Sequence, residues 1–124
     1  MTVSSLRDES SLVYRFEADN DGAFWLARQL SEQWLRERGV RSDALSDLLL
    51  VITELCTGAT AGVVLRLFVV GDGVEVVVES ASGIVLDRPT GDLRLAAGLC
   101  DEIVLQVKPQ RTVVRARRHG VVLT

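Results

Sequence analysis

The chain of 124 residues is short of several residue types, and each shortage removes a class of protein. It has two cysteines, one histidine, two prolines and one methionine, and only 5% of its residues are aromatic. Cys56 and Cys100 both lie in apolar stretches, and His119 is the sole imidazole, so a disulfide scaffold, a zinc site and a Cys-His nucleophile all lack their parts. Two buried, reduced thiols are expected. The longest apolar run, Leu48–Ile52, is far shorter than the ~20 residues that span a membrane. The first residues lack the basic-then-apolar order of a signal peptide, so the expected location is the cytoplasm. No residue run has the low complexity of a linker, and the two prolines, Pro89 and Pro109, fall between periodic segments.

What remains is ordinary for one globular domain: 48% hydrophobic and 25% charged residues, enough to bury a core. The formal net charge is −3, so no overall field attracts nucleic acid or an anionic membrane. Thirteen of the fourteen basic residues are arginine, with Lys108 the exception, a bias that points to a GC-rich bacterial genome. The acids crowd the first half. Residues 1–60 carry six basic and ten acidic groups, and residues 61–124 carry eight and seven.

Apolar periodicity orders the chain. Leu12, Tyr14, Phe16 and Ala18 alternate with polar neighbours, predicting a strand over 12–18. Asn20 and Asp21 cap a helix that runs to Arg38 and ends at Gly39. Its core stripe is expected to be Ala23, Leu26, Ala27, Leu30 and Trp34, with Trp25 projecting away beside Arg28. An aromatic there is either an isolated surface ring or an anchor for a partner, because tryptophan is enriched at interface hot spots. Ser42 caps a second helix to Thr57, with Leu45, Leu48, Leu49, Ile52, Leu55 and Cys56 inward. Asp47, Val51, Glu54 and Gly58 form a further stripe on it.

Two strands over 63–70 and 74–79, split by Gly71-Asp72-Gly73, predict a hairpin. A loop over 80–89, a short helix over 91–99 and a second strand pair over 102–107 and 112–117 follow. This order predicts an α+β two-layer sandwich: a mixed or antiparallel sheet with three helices on one face. The basic residues Lys108, Arg111, Arg115, Arg117, Arg118 and His119 fit a solvated edge strand protected by charge, or a surface for phosphates or an acidic partner.

Residues 50–59, Leu-Val-Ile-Thr-Glu-Leu-Cys-Thr-Gly-Ala, resemble the helix that carries E-x-x-x-N-A in the GHKL (Bergerat, histidine-kinase-like ATPase) fold. The small bacterial anti-sigma-factor serine kinases resemble it most. Glu54 and Ala59 are kept, and Gly58 stands where that family has the asparagine that holds magnesium. Glu79-Ser80-Ala81-Ser82-Gly83 resembles the D-x-G-x-G box that reads adenine. Thr90-Gly91-Asp92-Leu93 resembles the G-x-G-L turn whose following helix cradles phosphates, where the carboxylate of Asp92 would repel them. The stretch between these boxes is shorter than the family's ATP lid. Thr112, preceded by Arg111, resembles the family's Gly-Thr.

The resemblance covers residues 10–118 of a single domain and implies the following. Glu54 is the remnant of a catalytic carboxylate, and Glu79, Gly83 and Thr112 are remnants of a nucleotide site lined also by Ser80 and Ser82. Cofactors are none, or ATP and ADP bound weakly with magnesium. Phosphoryl transfer needs a held metal, a placed nucleophile and charge neutralisation, and of these parts only Glu54 survives. The expected function is therefore that of a degenerate anti-sigma-factor-like module that binds a sigma factor or a STAS-type antagonist through Phe24, Trp25 and Arg28. The alternative is an active serine kinase with unusual ligands. A homodimer is also implied, at an interface the sequence does not locate.

Overall fold

The computed structural model describes residues 11–59, 61–81 and 94–122. Its elements run β1 (Ser11–Glu17), α1 (Asp21–Glu37), α2 (Ser42–Thr57), β2 (Gly62–Val70), β3 (Gly73–Ser80), α3 (Arg94–Leu99), β4 (Glu102–Lys108) and β5 (Arg111–Arg118). The strands form one sheet in the order β1-β2-β3-β5-β4, and every neighbouring pair is antiparallel. The architecture is the expected α+β sandwich, with an antiparallel sheet.

Local chemistry sets the element ends. The Asn20 side chain accepts the N–H of Ala23 at 2.9 Å and so caps α1. Gly39, at φ 77°, turns the chain out of that helix. Between β2 and β3 the turn is Gly71-Asp72, closed by Val70 opposite Gly73. A Cβ on Gly73 would stand 2.6 Å from the carbonyl oxygen of Arg118, so the close approach of β5 requires glycine there. The second hairpin turns through Pro109-Gln110, with Lys108 opposite Arg111.

Strand alternation divides the sheet into two faces. Leu12, Tyr14 and Phe16 of β1 stand beside Leu67, Leu65 and Val63 of β2. With Val74, Val76, Val78, Val114 and Ala116 they pack against the helices. From α2, Leu45, Leu48, Leu49, Ile52, Leu55 and Cys56 are all buried, as its spacing predicts, and Val51, placed by spacing on the stripe of Glu54, is buried with them. The other face, open in that no helix of the described residues packs on it, carries Glu75, Val77 and Glu79 of β3 beside Arg117, Arg115 and Val113 of β5.

Three expectations are corrected. On α1 the buried residues are Ala27, Ser31, Trp34 and Leu35, while Leu26 is 47% exposed. The helix is rotated because Phe24 packs on Phe16, ring centroids 6.3 Å apart, and Ser31 satisfies its hydroxyl on the Ala27 carbonyl at 2.8 Å. Cys100 is only half-buried, unlike Cys56. Strand β5 is interior and β4 is the edge, so the arginines of β5 do not guard an edge. Arg115 and Arg117 are ion-paired to Glu75 on the open face, and Arg118 pairs with Asp47 on the helix side. Among the described residues no helix is long and apolar enough to cross a membrane.

Candidate functional site

Helix α2 carries the stripe Asp47, Val51, Glu54 and Gly58 toward the end of the sheet where α3 sits. Asp47 accepts from Arg118 of β5 at 2.5 Å, a pair that pins the helix to the sheet. Val51 is fully buried beneath it. One turn on, the Glu54 carboxylate accepts the backbone N–H of Leu95 at 3.2 Å and that of Ala96 at 2.6 Å. These are orphan donors in the first turn of α3, so a carboxylate 42 residues upstream in sequence serves as the cap of this short helix.

Gly58 ends α2 as expected, its N–H donating to the Glu54 carbonyl at 3.3 Å. Its φ of −78° and ψ of −10° lie in the right-handed helical region, which any L-residue adopts. Glycine is therefore not demanded by the backbone at this position. It removes a side chain from the space beside Glu54, and with it any oxygen that could reach a metal.

Glu79 does not share that space. It stands opposite Val64 and Val113 on the open face, whereas Ser80 and Thr112 face each other on the helix side and are both buried. Reading the box by its letters puts Glu79 in line with Glu54; strand alternation turns the two carboxylates to opposite sides of the sheet. Nor is Glu79 a solvated strand-end charge: it is 8% exposed. Arg66 of β2 donates to one carboxylate oxygen and Arg111 of β5 lies 3.2 Å from the other. It lines a cleft of about 420 Å³ with Arg15, Phe16, Glu17, Val63, Val64 and Arg111. Gly83, with Ser82, Thr90, Gly91 and Asp92, lies outside the described residues.

Phe24, Trp25 and Arg28 do come together. The rings of Tyr14, Phe16, Phe24 and Trp25 form a chain from the sheet to the surface, with successive centroids 5.9, 6.3 and 5.8 Å apart. The Arg28 guanidinium stands 5.7 Å from the centre of the Trp25 ring, within cation–π range. Its Nε donates to the Thr53 hydroxyl at 3.2 Å, and Thr53 in turn donates to the Leu49 carbonyl at 2.8 Å. Trp25 is thus braced yet 57% exposed, and its brace lands on the residue next to Glu54.

Sequence reasoning missed the partners of the charges: Arg66 and Arg111 for Glu79, Arg117 for Glu75, Arg118 for Asp47. A signal existed in the period-two spacing of Glu75 and Glu79 and of Arg115 and Arg117. Which strands lie side by side was needed to use it.

Burial pushes the Cys56 thiol up to about 12 and, chiefly by burial too, the Cys100 thiol up to about 11. Both are protonated at neutral pH and are poor nucleophiles.

No family model matches the chain, and no curated protein sequence matches it. Among solved structures it is similar to a crystal structure of the RsbU and RsbW domains of Rv1364c from Mycobacterium tuberculosis, with a TM-score of 0.73 and 20% sequence identity. That likeness covers 92% of this chain and 34% of the other, so this chain spans about a third of the protein it matches. The three helices and the antiparallel five-stranded sheet of the described residues, with this match, show that the chain shares its α+β fold with part of that structure.

Proposed function

We propose that the chain is a regulatory protein-binding module of the anti-sigma-factor type, acting by occlusion of a sigma factor or a STAS-type antagonist without phosphoryl transfer. The observation that carries this reading is the engagement of Glu54. The first-turn N–H groups of α3 already hold an anion, the Glu54 carboxylate. A phosphate brought there would meet a fixed negative charge in place of free donors. Gly58 adds no oxygen for magnesium, so among the described residues the donors beside Glu54 do not fit a magnesium nucleotide. A module that has lost its chemistry keeps its shape, and the exposed, braced Trp25 is the side chain best suited to anchor a partner.

The test is isothermal titration of the full chain with ATP and with ADP, each with magnesium, beside the variant Gly58→Asn. The expected result is no saturable heat from the unmodified chain. Micromolar binding by it, with phosphate transferred to a partner serine and lost in Glu54→Ala, would overturn the reading in favour of an active serine kinase. Retention of sigma-factor or STAS partners on the immobilised chain, weakened by Trp25→Ala, is the matching positive result.

A further inference from the structure

Strand β4, Glu-Ile-Val-Leu-Gln-Val-Lys over residues 102–108, closes one side of the sheet. It pairs with β5 along one edge, and its other edge has no strand beside it among the described residues. Its helix face is wholly apolar, Ile103, Leu105 and Val107, its open face sets Val104 among Glu102, Gln106 and Lys108, and both faces are poorly covered. Val104 on the open face is 49% exposed, and Leu105 and Val107 on the helix face are 38% and 66% exposed. An edge strand of this kind is a template for another strand unless charge, proline or a bulge shields it. Within β4 the only charges stand at its two ends, Glu102 and Lys108.

The outward groups follow from the turn. A two-residue hairpin loop is closed by a hydrogen-bonded pair, here Lys108 and Arg111. Alternation then points the N–H and C=O groups of Gln106, Val104 and Glu102 at β5, and those of Val107, Leu105 and Ile103 outward. A strand that docks on β4 finds its donors and acceptors centred on Leu105.

Read backwards about Leu105, the β4 sequence complements itself. In an antiparallel pairing with a second copy, Glu102 stands opposite Lys108 of the other copy, and Lys108 opposite its Glu102. Ile103 meets Val107, Val104 meets Gln106, and Leu105 meets itself. Opposite charges therefore face each other at both ends, and on the helix face every pair is apolar. Strand β1, the other edge, lacks this property: read backwards about Tyr14 it sets Ser11 against Glu17 and Val13 against Arg15. We infer that β4 is the contact between two copies of this chain, paired antiparallel about a twofold axis at Leu105, which joins two five-stranded sheets into one of ten strands. The inference rests on the edge alone and is independent of the function proposed above.

Sedimentation velocity of the full chain over a concentration series tests it. The unmodified chain should form a dimer whose fraction rises with concentration. Lys108→Glu sets two carboxylates against each other at both ends and should raise the dimer dissociation constant about tenfold. The swap Glu102→Lys with Lys108→Glu should restore it. Both positions are exposed, and circular dichroism of each variant shows whether the fold is kept. A chain that stays monomeric, a dimer indifferent to Lys108→Glu, or a loss that the swap fails to reverse would each overturn the assignment.

Discussion

Glu54 on α2 and Ala96 on α3 are joined by a hydrogen bond of 2.6 Å from the backbone N–H to the carboxylate, across 42 residues of sequence. A neighbouring bond from Leu95 uses the second oxygen. The carboxylate that a catalytic site would leave free is thereby part of the fold, and its removal has a structural cost. Glu54→Ala should lower stability by about 1 kcal/mol, the usual loss for a helix cap, read by urea unfolding. Glu54→Gln keeps one acceptor and should lie between the two. A catalytic carboxylate would give the opposite sign, since its removal relieves strain.

The buried Glu79 depends on Arg66 and Arg111. Arg66→Ala withdraws the less exposed partner and should destabilise the fold by about 2 kcal/mol, below the 3–5 kcal/mol of a fully orphaned charge because Arg111 remains. The double variant Arg66→Leu, Glu79→Leu should cost less than Arg66→Ala alone, since no ion is left without its pair. Chemical denaturation of the three proteins decides it.

Both thiols titrate above the ordinary 9.0, Cys56 at about 12 and Cys100 at about 11. A folded-state pKa raised above the unfolded value means that folding favours the protonated thiol. This stabilisation is fully present below pH 9.0 and is lost as pH rises towards 11 and 12. Unfolding free energy should therefore fall from pH 9 upward, and by less in Cys56→Ala than in the unmodified chain. At pH 8, Ellman's reagent should label half-buried Cys100 slowly and Cys56 only on unfolding.

Trp25 is braced by Phe24 and Arg28 but contributes little to the core. Trp25→Ala should change stability by no more than about 0.5 kcal/mol, while weakening partner binding at least about thirtyfold, the ~2 kcal/mol threshold of a hot spot. Arg28→Ala frees the indole and releases Thr53, and should weaken binding less. Melting curves and biolayer interferometry on the same samples separate the two effects.

The sequence by itself determined the elements and their order, because those follow from local rules. Period-two apolar runs made the strands, the Asn20 cap and Gly39 bounded α1, and the leucines of α2 named their own buried face. It also singled out Trp25 as pointing away from the core. Tertiary structure alone decided the rest, since each remaining feature joins residues far apart in the chain. Strand order made β4 the edge and β5 an interior strand. One residue of strand register sent Glu79 to the open face with Arg66 and left Ser80 on the helix side, a distinction invisible in a motif read as letters. The docking of α3 against α2 brought the Glu54 carboxylate to the first-turn N–H groups of Leu95 and Ala96, 41 and 42 residues on in the chain.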